Sequence, residues 1–158
     1  MEMSLKCAEP NEKSIQEMLD SLYGEGVVLS DSSPVDVGDG FVYNYIDDDD
    51  NSVAVLVADS SLVANAGSAM MMVPAGAAAE AAETGELSSM MLDCYYEVAN
   101  ILSRALMDDS SVHLRLEKMY TPGENTDLIE RYSGDCKQVS YNVQVPEYGD
   151  GNMTFILT

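Results

Sequence analysis

The sequence predicts a mixed α/β domain: a two-layer sandwich of one mainly antiparallel sheet with amphipathic helices packed on one face. Three observations lead there. Apolar residues recur at helical spacing in two long segments, Ile15, Met18, Leu19 and Leu22, then Met91, Tyr95, Val98, Ala99, Leu102, Ala105 and Leu106. Several short stretches are instead rich in β-branched and aromatic residues or alternate apolar with polar. The order of elements repeats loosely, a helix and three strands over 11–58 and again over 86–158, with two linking helices between. Short loops join successive strands, which favours antiparallel pairing, and the apolar helix faces need a sheet to cover.

Each element has a local reason. Residues 1–10 read as a flexible lead-in ending at Pro10. Asn11 or Ser14 can cap the first helix, and Ser14 with Glu17 fits a capping box. Gly24 and Gly26 end it. Val27–Leu29 is a short strand, and Phe41–Ile46 (FVYNYI) a longer one. Val53–Ala58 (VAVLVA) has no polar side and is expected in the middle of the sheet. Asp59 or Ser60 can cap a helix through Leu62, Val63, Ala66, Met70 and Met71, which Pro74 and Gly76 break. Ala77–Ala82 is a short alanine-rich helix.

Glu86–Met107 then reads as one long helix. Val112–Tyr120 and Lys137–Val145 alternate as half-buried strands, with a loop from Thr121 to about Gly134 between them. Met153–Leu157 is a last apolar strand, expected at an edge of the sheet.

Composition excludes several functions. The 158 residues suit a single domain, 1–158, and 46 % of them are hydrophobic, enough for a sizeable core. No apolar run approaches the roughly 20 residues of a membrane span, so no membrane insertion is expected. The N-terminal stretch MEMSLKCAEPNEKS holds no apolar core of a signal peptide, so a cytoplasmic setting is expected. Three cysteines without a CxxC pair fit reduced thiols. With 28 acids against 7 bases the net charge is −21, which disfavours nucleic acid and anionic membranes.

The usual catalytic patterns are missing. His113 is the one histidine, so neither a histidine metal cluster nor a G-x-S-x-G triad is available. There is no phosphate-binding glycine loop. The Asp47–Asp50 run lacks a calcium loop's Gly at position 6 and Glu at position 12, where Ser52 and Ala58 stand. It reads as a solvated turn, and no metal ligands are expected.

What remains is the polar side of the long helix. Opposite its apolar arc, Asp93, Glu97, Asn100 and Arg104 fall one above the other. Asp93-x3-Glu97-x2-Asn100, with Pro122 lying 22 positions beyond Asn100 in a Thr-Pro-Gly, resembles the signature of the CheC/CheX/FliY chemotaxis phosphatases. The first helix, with Gln16, Glu17 and Asp20, carries no second E-x-x-N, which is similar to CheX rather than CheC. Where the family often has Gly-Asn after the motif, this chain has Ser103-Arg104.

The resemblance implies a protein phosphatase that hydrolyses the aspartyl phosphate of a CheY-like response-regulator receiver, in chemotaxis or related two-component signalling. Asn100 would orient the attacking water and Glu97 would reach the receiver's lysine. Asp93 would extend the docking contact. Arg104 would either clamp a phosphate or partner acid, or pair with Asn100 or a carboxylate and block the site. No cofactor is expected on this chain, since Mg²⁺ belongs to the receiver. The resemblance also implies a homodimer through sheet edges. The alternative is a non-catalytic module that binds the receiver without hydrolysis.

Overall fold

The computed structural model describes residues 6–158. In chain order its elements are α1 (Glu12–Tyr23), β1 (Val28–Asp31), β2 (Phe41–Ile46), β3 (Ser52–Ala58), α2 (Ser60–Met70), α3 (Ala75–Thr84), α4 (Ser89–Leu102), a 3-10 turn (Ser103–Leu106), β4 (Arg115–Tyr120), α5 (Thr126–Tyr132), β5 (Lys137–Val145) and β6 (Gly149–Leu157). The strands form one six-stranded sheet in the order β1-β5-β6-β3-β2-β4, and every neighbouring pair is antiparallel.

The expected repeat is present. Exchanging β1 with β4, β2 with β5 and β3 with β6 reverses that strand order and leaves it unchanged. β3 and β6 are therefore the paired centre, which their composition demands. Ala54, Leu56 and Ala58 of β3 point with Met153, Phe155 and Leu157 of β6 into the main core. Val55, Val57 and Ile156 point into a second, smaller core on the other face. Strands apolar on both sides have to be covered on both sides.

This corrects the placement of the last strand. Met153–Leu157 lies between β5 and β3 and is no edge; the edges are β1 and β4. Being last in sequence says nothing about being outermost in space, and two apolar faces exclude an edge.

The main core lies under α1, α2 and α4. Asn11 is the cap of α1, accepting from the Ser14 N–H at 2.8 Å, and Asp59 caps α2 through the Leu62 N–H at 2.8 Å. Asp59 also accepts from the Asn152 N–H at 3.0 Å, tying α2 to β6. α2 can lie this close because Gly151 has no side chain where Leu62 sits. α3 closes over Ala64 and Met91 through Ala81.

Two further expectations change. The stretch read as a loop from Thr121 to Gly134 contains α5, capped by Asn125. Its Leu128 and Tyr132 cover Val42, Val55, Val57 and Ile156 on the second face, so not every helix packs on the same side. Of the expected lead-in, 1–10, residues 1–5 lie outside the described ones and residues 6–10 are held in part against the fold. Cys7 and Pro10 are buried, and the Ala8 N–H donates to the Leu106 carbonyl at 2.8 Å.

The Asp47–Asn51 segment is a closed turn. The Asp47 carboxylate accepts from the Asp49 and Asn51 N–H groups at 3.0 and 2.9 Å, and the Asn51 bond above all holds its pKa below the usual carboxylate range. Among the described residues no group of His, Cys, Asp and Glu is arranged to hold a metal, and no helix is long and apolar enough to cross a membrane.

Candidate functional site: the outer face of α4

α4 is shorter than its pattern suggested. Ser88 caps it, accepting from the Met91 N–H at 3.2 Å. It ends at Leu102, where the chain tightens into the 3-10 turn. Met91, Tyr95, Val98, Ala99 and Leu102 are buried, as their spacing required.

Three contacts seat the helix. Near its start Gly67 of α2 lies directly against the Met91 backbone, leaving no space for a Cβ. At its middle the Tyr95 ring meets Tyr43 of β2, with centroids 5.4 Å apart and planes at 57°, a tilted arrangement favoured by the ring quadrupoles. Near its end the buried Tyr45 hydroxyl donates to the Ala99 carbonyl at 2.6 Å. α4 therefore runs along β2 in the same direction.

Against this floor the four polar residues turn outward. Asp93, Glu97, Asn100 and Arg104 are all exposed. Among the described residues, no side-chain hydrogen bond or ion pair engages any of the four. Among the described residues Arg104 closes onto neither Asn100 nor a carboxylate. Between Asp93 and Glu97 sits Cys94, half-buried. Its thiol pKa is raised, first by burial and then by the charges of Asp93 and Glu97.

The Thr121-Pro122-Gly123 segment follows β4, the edge strand beside β2. β4 runs antiparallel to β2, with Leu116 opposite Tyr45 and Met119 opposite Tyr43. The chain thus leaves β4 toward the Phe41 end of β2. The Glu124 N–H donates to the Thr121 carbonyl at 3.0 Å and Gly123 has φ +78°, a turn with Pro and Gly at its two central positions. The Glu124 carboxylate accepts from the Thr121 N–H and hydroxyl at 2.8 and 3.1 Å, which lowers its pKa and fixes the turn. All four turn residues are exposed.

Chemically, this face offers one carboxamide, two carboxylates and one guanidinium on a rigid support. Its thiol, Cys94, is half-buried with a raised pKa, and among the described residues no group of His, Cys, Asp and Glu is arranged to hold a metal. The face suits orienting a small molecule, such as water, against a substrate brought by a partner.

In α1, the counterpart of α4 in the repeat, part of the polar side is tied down. Gln16 donates both to the Asp20 carboxylate at 3.0 Å and to the Val27 carbonyl at 2.8 Å. Sequence reasoning missed two contacts beneath the stripe, the Tyr45 hydroxyl on the Ala99 carbonyl and the Ser103 hydroxyl on the Asn100 carbonyl. The signal was present in Tyr45: a tyrosine in a wholly buried strand needs a partner for its hydroxyl.

No family model matches the sequence, and no curated protein matches it. Solved structures do share its fold. The chain is similar to one in the CheX–CheY–BeF3–Mg²⁺ complex from Borrelia burgdorferi, at TM-score 0.57 and 12 % identity over 92 % of either chain. It is similar to FliY of Thermotoga maritima, at TM-score 0.56 and 17 % identity over 92 % of this chain and 82 % of that one. It is similar to a chain of the FliM–SpeE complex from H. pylori, at TM-score 0.60 and 10 % identity over 92 % of this chain and 80 % of that one. The fold expected from the sequence is thus the fold of CheX, FliY and the FliM middle domain.

Proposed function

We propose that this chain is a CheX-like protein phosphatase acting on the aspartyl phosphate of a CheY-like receiver. The observation that carries the reading is the free presentation of Glu97 and Asn100, one turn apart, on an exposed helix face of a fold also found in a CheX–CheY complex.

An acyl phosphate is already reactive, so catalysis reduces to placing water in line and stabilising charge. In the proposed step the water oxygen bonds to phosphorus as the bond from phosphorus to the aspartyl oxygen breaks. The products are inorganic phosphate and the restored carboxylate. The Asn100 carboxamide can accept a hydrogen bond from the water and donate another, with no protonation change near neutrality. Glu97 forms a charge-assisted hydrogen bond with a lysine of the receiver. Asp93 extends the contact and Arg104 engages an acidic group of the partner. The chain contributes no cofactor; the receiver brings its own Mg²⁺. Decay of a phosphorylated receiver, with and without this chain and its Asn100→Ala variant, tests the reading.

A second reading has its own support. The likeness to FliM middle domains and Ser103-Arg104 in place of the family's common Gly-Asn favour a module that binds a receiver without hydrolysis. Binding with no change in phosphate lifetime selects it. The homodimer remains a proposal, now through β1 or β4, because those are the sheet edges; sedimentation across concentrations tests it.

A further inference from the structure

In an uninterrupted α-helix the Ser103 N–H would bond to the Ala99 carbonyl, four residues back. Here it is directed to the carbonyls of Asn100 and Ile101. The Ala99 carbonyl is taken instead by Tyr45, whose hydroxyl reaches it at 2.6 Å from strand β2. The Ser103 hydroxyl adds a second donor to the Asn100 carbonyl, also at 2.6 Å. Tyr45 is fully buried and Ser103 is 7 % exposed, so water does not compete freely for these bonds.

The consequence falls on one residue. The two peptide groups flanking the Asn100 Cα are each anchored, the preceding one through the Ala99 carbonyl and the following one through the Asn100 carbonyl. The direction of the Cα–Cβ bond is fixed by those two planes. The Asn100 side chain itself is free and exposed. The helix passes from α to 3-10 geometry after Leu102, and the Asn100 carbonyl accepts the Ser103 N–H at that change.

We propose that Tyr45 and Ser103 are positioning residues for Asn100, holding its carboxamide at the angle that places water in line with the aspartyl phosphate. The proposal rests on the phosphatase reading above. Removing the Tyr45 hydroxyl frees the Ala99 carbonyl to take back the Ser103 N–H. The α-helix then extends by one bond and the backbone around Asn100 turns. Because hydrolysis by oriented water is sensitive to displacements on the order of 1 Å, rate is lost where docking is not. Ser103, which departs from the family's common glycine, thereby takes part in the site and does not merely replace a small residue.

The test uses the full chain and the aspartyl-phosphorylated CheY-like receiver whose decay it accelerates most in a panel. kcat and KM are measured for wild type, Tyr45→Phe, Ser103→Ala and Ser103→Thr. A control is Tyr95→Phe, which removes another buried hydroxyl from α4, one bound to the Met153 sulfur at 3.9 Å and remote from the Asn100 peptides. The expected result is a kcat lower by about tenfold or more in Tyr45→Phe and Ser103→Ala, with KM within about twofold. Ser103→Thr keeps the hydroxyl and restores the rate, and Tyr95→Phe leaves kcat unchanged. Wild-type kcat in Tyr45→Phe and Ser103→Ala overturns the positioning roles while leaving the phosphatase reading intact. An equal loss in Tyr95→Phe also overturns them, reducing the effect to general stability. If wild type accelerates no receiver in the panel, the phosphatase reading itself has failed, and the positioning roles fall with it.

Discussion

Gly67 of α2 rests against the Met91 backbone of α4 so closely that a methyl group on its Cα would overlap the Met91 carbonyl. The closest approach of the two helices therefore uses an absent side chain. It seats the first turn of α4, which Ser88 caps, against α2.

That contact makes an unusual sign prediction. In a helix interior Gly→Ala normally stabilises by about 1 kcal/mol. At Gly67 the added methyl must displace backbone, and overpacking costs about 1–3 kcal/mol. Gly67→Ala is therefore expected to lower the urea midpoint at unchanged slope. A raised midpoint would show that α4 can move away freely.

Cys94 reports on the stripe's electrostatics. Burial raises its pKa first, and the Asp93 and Glu97 charges raise it further. The thiolate is the reactive form, so a raised pKa means slow reaction near pH 8. Removing a neighbouring negative charge lowers the pKa, so more thiolate is present at the same pH. In a Cys136→Ser background, Asp93→Asn is expected to move the pH midpoint of reaction with a disulfide reagent downward. Salt should diminish the difference, because these charges are exposed. An unchanged midpoint at low salt contradicts the arrangement of charges around Cys94.

Arg104 is exposed and engages no carboxylate among the described residues. It is thus available to a partner. Arg104→Ala is expected to raise KM for a phosphorylated receiver by roughly 3–10-fold, an interaction of about 1 kcal/mol. The effect should weaken with salt, and kcat should change little. A rise in kcat would instead identify Arg104 as an obstruction of Asn100.

Much of this was legible in the sequence because it is local. The helical period of Met91, Tyr95, Val98 and Leu102 set the buried side of α4 and hence the outward Asp93–Glu97–Asn100–Arg104 stripe. VAVLVA announced a central strand because no side of it is polar. What was not legible depends on partners distant in sequence. β6 lies between β5 and β3, a place its two apolar faces fit and its position at the end of the sequence obscured. α5 is a seven-residue helix with few apolar positions, too short for periodicity to stand out. α4 ends at Leu102 while Tyr45, 54 positions before Ala99, takes the Ala99 carbonyl, and the apolar pattern of Ala105 and Leu106 continues as if the helix did.

The central claim is that Asn100 orients the water that hydrolyses the receiver's aspartyl phosphate while Glu97 holds the receiver. The most direct measurement is phosphate release from a phosphorylated CheY-like receiver, paired with receiver binding, for wild type, Asn100→Ala and Glu97→Ala. The account predicts that wild type accelerates release. Asn100→Ala should lower kcat by on the order of 100-fold with binding nearly unchanged, and Glu97→Ala should weaken both. Full-rate hydrolysis by Asn100→Ala, or binding by wild type without any acceleration, would contradict it.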